Sequence, residues 1–128
     1  MRFLLDTHIV LWAAATPDRL GSSFDELAEG ERLISAATAW ELGIKSSLGK
    51  LDLREEVSSW IPRAAQQLQA SLIDVTISHA AAVEHLPLHH RDPFDRLLIV
   101  QARQEQAILL TADRTLLAYG DSVRLVGD

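Results

Sequence analysis

Arg2-Phe3-Leu4-Leu5-Asp6-Thr7-His8-Ile9-Val10-Leu11-Trp12-Ala13-Ala14-Ala15 changes within one residue from a strand-like run to a helix-like one. Phe3, Leu4 and Leu5 are apolar without alternation, which is how a strand covered on both faces reads. Residues 2–6 therefore form a first buried strand, and residues 7–15 the helix it feeds. Thr16-Pro17-Asp18 ends that helix. A strand that passes straight into a buried helix is the opening of a βαβ unit.

The same alternation continues along the chain. Short apolar runs predict strands at 33–35, 72–75, 107–110 and 123–126, the last at a sheet edge. Helical patterning covers 22–29 (capped by Ser22 or Ser23), 37–48, 54–69, 78–85, 93–104 and 113–118. Ser78 is read as the cap of the 78–85 helix, and Pro62 should kink or divide 54–69. The expected fold is α/β: a three-layer sandwich with a central parallel sheet of about five short strands flanked by helices. At 128 residues, 1–128 is expected to be one domain, long enough to bury a core.

Composition narrows the chemistry. There is no cysteine, so a disulfide framework, a thiolate metal site and a thiol nucleophile are all excluded. Any metal must rest on carboxylate, carbonyl, imidazole or water, a donor set that favours hard ions such as Mg²⁺ or Mn²⁺. A net charge of −6 argues against a chain that coats nucleic acid by charge alone. It remains compatible with an acid-crowded site and with a basic partner segment. Asp6 and His8 interrupt the apolar run that a secretion signal needs, and no run approaches a membrane span. A soluble, cytoplasmic protein with no membrane association is expected.

The acids carry the functional reading. Asp6 lies between two apolar elements, where a lone carboxylate must be hydrogen-bonded or cation-bound, or serve as the cap of the helix that follows. Glu41 has Lys45 four residues on, the favourable polarity for an exposed ion pair, yet its surroundings are small and apolar. In Asp92-Pro93-Phe94-Asp95 the proline takes the first helical position, which makes Asp92 a natural N-cap. With a cap in place, Asp95 is freer to point into a cleft. Asp113 follows the strand at 107–110; it either caps the next helix or faces the sheet edge, and Thr111 either bonds within that turn or holds a water.

Ligands gather outside the carboxyl ends of strands in open parallel sheets, and Asp6, Glu41, Asp95 and Asp113 all reach that edge. Like charges crowded there require cations. Bound divalent ions suit phosphodiester hydrolysis. Pattern alone reaches metal-dependent phosphoryl chemistry.

Leu4-Leu5-Asp6-Thr7-His8, Ser35-Ala36-Ala37-Thr38-Ala39-Trp40-Glu41-Leu42-Gly43-Ile44-Lys45, His89-His90-Arg91-Asp92-Pro93-Phe94-Asp95-Arg96-Leu97-Leu98 and Leu110-Thr111-Ala112-Asp113 together resemble the PIN-domain family, most of all its VapC-like toxin ribonucleases. The resemblance runs in order from Met1 to about Val126, and the Asp92 segment is its most specific part. It implies that Asp6, Glu41, Asp95 and Asp113 bind one or two Mg²⁺ or Mn²⁺ ions and hydrolyse RNA. It also places Thr7 and Thr111 beside the metals and makes Asp92 an additional acid of the subgroup. A homodimer and a cognate antitoxin, whose C-terminal segment lies over the site and often offers an arginine to the acids, are implied in the same way.

Lys45, Lys50, Arg91 and Arg96 lie near the motif ends and are candidates for RNA phosphate contact. His8, His89 and His90 are expected to be structural or exposed, because a metal-activated water needs no histidine base. Trp12, Trp40 and Trp60 are expected in the core or a dimer contact. The alternative from another class is a catalytically silent PIN-like module that acts through its antitoxin partner. A phosphoaspartate enzyme ranks low, since Asp6-Thr7-His8 lacks the paired aspartates of such a site.

Overall fold

The expectation of a doubly covered first strand is met: Phe3, Leu4 and Leu5 are all buried in β1 (Arg2–Leu5). The structure is a computed structural model and describes residues 1–23 and 29–126. β1 lies at the centre of a five-stranded sheet with β2 (Glu31–Ser35), β3 (Ala70–Ile73), β4 (Ile108–Thr111) and β5 (Val123–Leu125). The order is β3-β2-β1-β4-β5 and every pairing is parallel. The helices are α1 (Thr7–Ala15), α2 (Ala36–Ser47), α3 (Val57–Leu68), α4 (Ile77–Ala82) and α5 (Pro93–Gln104). Short 3₁₀ turns occupy Pro17–Ser23, Val83–His85 and Arg114–Tyr119.

Successive strand residues point to opposite faces, so the strands feed two cores. Leu5, Ile34 and Leu110 pack with Val10 of α1 and Ile61 and Leu68 of α3. Leu4, Leu33 and Leu109 pack on the other face with Leu98, Ile99 and Ala102 of α5. These are the three expected layers. The chain walks from β1 to β2 to β3 toward one edge, then places β4 and β5 on the other side of β1. The direction reverses between β1 and β4, and the crevice at their carboxyl ends is where such sheets take ligands.

Several boundaries differ for local reasons. The helix expected from residue 54 starts at Val57, because Asp52 Oδ1 accepts the Arg54 N–H at 2.8 Å and Arg54 sits at φ +63°. Pro62 does not divide α3. Both Pro62 and Ser58, whose carbonyl loses its helical partner, are exposed, so water can serve that carbonyl.

β3 begins two residues earlier than its apolar run, since pairing with β2 from Arg32↔Ala70 to Ser35↔Ile73 sets its limits. A shift of two keeps each side chain on its face. Thr76, not Ser78, caps α4: its hydroxyl accepts the His79 N–H while His79 Nδ1 accepts the Thr76 N–H. The helix expected at 22–29 falls largely on residues 24–28, which lie outside the described residues. Among the described residues, no helix is long and apolar enough to cross a membrane.

Candidate metal centre

Asp6 continues the sheet and starts a helix at once. Its N–H donates to Leu110 O at 3.0 Å, which holds the ends of β1 and β4 together. Its Oδ1 caps α1 by accepting the His8 N–H at 3.3 Å, and Oδ2 accepts the Thr111 hydroxyl at 2.6 Å. The residue is 5% exposed, and burial raises its pKa against the pull of the Thr111 bond. Capping and site membership therefore coexist in one carboxylate.

Glu41 lies in the second turn of α2 and is 7% exposed. The expected Lys45 pair is present at 2.6 Å on Oε2, but the carboxylate is buried rather than solvated. Oε1 accepts the Thr7 hydroxyl at 2.8 Å, which ties α2 to the first turn of α1.

Asp92 Oδ1 accepts the N–H groups of Phe94 (2.8 Å) and Asp95 (3.0 Å), so it caps α5. Asp95 is left to face inward, half-buried, with Oδ2 2.8 Å from His90 Nε2. Burial and the nearby charges of Asp6 and Asp92 push its pKa up to about 7, with His90 opposing them. Asp113 caps the Arg114–Tyr119 turn: Oδ1 accepts the Thr115 hydroxyl (2.7 Å) and N–H (2.9 Å). The hydroxyl bond is the main cause of its lowered pKa. Thr111 Oγ1 accepts the Asp113 N–H at 3.1 Å while donating to Asp6, so one threonine spans two acids.

All four acids line one cavity of about 310 Å³, together with Asp92, Lys45, His8 and Trp12. Raised values at Asp6 and Asp95 mean that their ionised forms are disfavoured while no cation balances them. An all-carboxylate donor set with no sulfur, buried at Asp6 and Glu41 and more open at Asp95 and Asp113, suits a hard divalent ion.

This has a measurable consequence. An acid whose folded pKa lies above its unfolded value keeps a proton in the fold that the unfolded chain releases, so stability falls as pH rises between the two. For Asp95 that window runs from 3.8 to about 7, and Asp6 acts in the same direction. In EDTA, urea unfolding at pH 5 should exceed that at pH 8 by roughly 1–2 kcal/mol, a partial value because Asp95 is partly open to solvent. A flat profile across that window would contradict the electrostatics described.

The structure bears on three further residue expectations. Arg96 is not free to grip phosphate. Its Nη1 donates to Pro87 O (3.1 Å), His90 O (3.3 Å) and the Tyr119 hydroxyl (3.3 Å), and its Nη2 to Leu86 O (3.2 Å) and Val83 O (3.4 Å). Trp12 is half-buried and packs against the edge of the core, as expected. It lines the cavity with Arg19 stacked over its ring at 4.4 Å, whereas Trp60 is buried and Trp40 is 62% exposed. His90, expected to be structural or exposed, is structural: it stands among the acids, bonded to Asp95 and Thr115. Its bond to Asp95 is a five-residue contact around a helix start, and no helical periodicity signals it. Arg91 is exposed, and Lys45 lies at the cavity wall.

Comparison with known proteins gives a consistent picture. A family model described as "PIN domain" matches residues 3–121. Ribonuclease VapC22 of Mycobacterium tuberculosis (strain ATCC 25618 / H37Rv) is 32% identical over 119 residues, covering 91% of this chain and 90% of that protein. A crystal structure of VapBC2 from Rickettsia felis bound to a DNA fragment from its promoter superposes with a TM-score of 0.71 at 18% identity. That match covers 98% of this chain and 99% of the other. A toxin–antitoxin complex from Klebsiella pneumoniae gives a TM-score of 0.66 at 16% identity, covering 94% of each chain. The two structures support the fold; the family model and the sequence relative carry the kinship.

Proposed function

The chain belongs to the PIN-domain family, and on that footing we propose that it is a divalent-metal-dependent endoribonuclease acting as the toxin of a toxin–antitoxin pair. The observation that carries this reading is the convergence of Asp6, Glu41, Asp95 and Asp113, from four separate segments, on one cavity at the sheet's switch point.

In this reading the four acids hold one or two Mg²⁺ or Mn²⁺ ions. A bound ion supplies Lewis acidity and lowers the pKa of a water nucleophile. The chain's own residues do the rest. Thr111 fixes Asp6 and the backbone of Asp113, and Thr7 fixes Glu41, so the carboxylates do not have to reorganise when RNA arrives. Lys45 neutralises the outer oxygen of Glu41 and offers a positive charge to a phosphate at the cavity wall, with exposed Arg91 a further contact. Asp92 keeps its capping task and adds negative charge near Asp95.

The partners are read the same way. Trp40 and Ile44 on α2, with Leu48 at its C-cap, form an exposed apolar stripe at four-residue spacing, and Glu41 and Lys45 on the same helix line the cavity. An antitoxin segment with apolar anchors and an arginine complements both features. Homodimerisation and a cytoplasmic setting accompany this proposal. The silent-module alternative gains no support from the cavity, where all four acids are present.

The decisive experiment is RNA cleavage by purified protein in Mg²⁺ or Mn²⁺, with and without EDTA, alongside Asp6→Asn and Asp95→Asn. Cleavage should require the metal and fail in both variants. Wild-type rates in both variants would remove the site assignment, and metal-independent cleavage would remove the metal.

A further inference from the structure

We propose that His90 is a positioning residue of this centre: its imidazole joins Asp95 on α5 to the Asp113–Thr115 turn after β4, and so sets which carboxylate oxygens face the cavity. The inference rests on the metal-centre reading above.

The geometry is specific. Nε2 lies 2.8 Å from Asp95 Oδ2 and 3.9 Å from Asp113 Oδ2, and Nδ1 lies 3.2 Å from Thr115 Oγ1. Thr115 Oγ1 in turn donates to Asp113 Oδ1 at 2.7 Å. A ring nitrogen of His90 and one oxygen from each of Asp95 and Asp113 lie within 4.8 Å of one another. Both ring nitrogens are thus engaged, one on each of two elements that no strand pairing connects. With Oδ2 of Asp95 held by the ring and Oδ1 of Asp113 held by Thr115, the opposite oxygens are left for the cavity.

An incidental surface pair would not need a fixed backbone, and His90 has one. Its N–H donates to the Tyr119 hydroxyl at 3.0 Å, and its carbonyl accepts from Arg96 Nη1 at 3.3 Å. Tyr119 is itself buried, and its hydroxyl also takes the His89 N–H and reaches Pro87 O at 2.9 Å. The segment before α5 is therefore held by two side chains that meet at this histidine. Groups that orient metal-binding side chains typically change metal affinity ten- to a hundredfold when removed.

The test measures Mn²⁺ binding to the whole protein by calorimetry, with no RNA present, for wild type, His90→Ala, His90→Gln, Thr115→Val and Asp95→Asn. His90→Ala should weaken Mn²⁺ binding about tenfold. Glutamine places an amide N–H near the Nε2 position and should recover most of that loss. Thr115→Val, which frees the other end of the ring, should weaken binding severalfold and stands in if His90→Ala fails to fold.

In cleavage assays the Mn²⁺ concentration for half-maximal rate should rise in His90→Ala, while the rate at saturating metal returns toward wild type. Unchanged or tighter Mn²⁺ binding in a folded His90→Ala, or glutamine no better than alanine, overturns the proposal. If Asp95→Asn also leaves Mn²⁺ binding intact, the metal centre itself has failed; if only the histidine variants are silent, the fault lies with this inference alone.

Discussion

Asp95→Asn should abolish RNA cleavage and at the same time make the metal-free protein more stable. The two effects share a cause. Asp95 is half-buried beside the charges of Asp6 and Asp92, and its pKa is pushed up to about 7. At pH 8 the fold carries an ionised carboxylate it would rather protonate. Asparagine keeps the shape and a hydrogen bond to His90 but removes the charge. Melting in EDTA at pH 8 should rise by a few degrees, in line with about 1 kcal/mol for a chain of this size. The gain should shrink toward zero at pH 5, where the wild-type carboxyl is largely protonated. Mn²⁺ should raise the melting temperature of wild type far more than that of the variant. Cleavage should fall on the order of 10²–10³-fold or more, the range seen when one group that stabilises transition-state charge is removed. Equal stabilisation at both pH values, or full Mn²⁺ stabilisation of the variant, would show that the carboxylate is not under the strain described.

Arg96→Ala should be among the most destabilising single changes outside the cores. The guanidinium serves four backbone carbonyls and the Tyr119 hydroxyl, and its loss leaves the carbonyls of His90 and Leu86 without the donor it gives them. Urea unfolding should show a cost of about 2–4 kcal/mol, since several charge-assisted bonds go together. Arg96→Lys should recover less than half, because one ammonium cannot reproduce the planar fork. A phosphate contact predicts something different, namely a shallower salt dependence of RNA binding by about one unit. We expect that slope to be unchanged. A large change in slope with little loss of stability would restore the role first read from the sequence.

These two residues show where the sequence was legible and where it was not. α1 and α5 have the expected limits because apolar patterning (a continuous run in α1, a periodic face in α5), a capping aspartate and, in α5, a well-placed proline all agree locally. The assignment of Asp92 to capping and Asp95 to the cleft follows from helix-start geometry, which is also local, and the hydrogen bonds bear out the cap. The role of Arg96 is not legible in the sequence, because its spacing beside an acidic motif looks the same whether it faces solvent or folds back onto the 83–90 loop. His90 is structural as expected, but its bonding pattern is not legible locally, because Thr115 and Tyr119, which hold it, are distant in sequence. The Thr76 cap escaped because histidine stands in the position where glutamate or glutamine would have announced it.

The hydrogen bond from Thr111 to Asp6 also has a temporal meaning. It closes only when β4 has docked against β1, with most of the chain lying between the two strands. The earlier acids can be synthesised, and even folded locally, without making the centre. Under the proposed function, a nascent chain that has not yet brought residue 113 to the first strand would lack the complete centre, and activity would arise only late in synthesis. An antitoxin of the proposed kind would then not have to guard the growing polypeptide; it would have only to be present when the last central strand is seated.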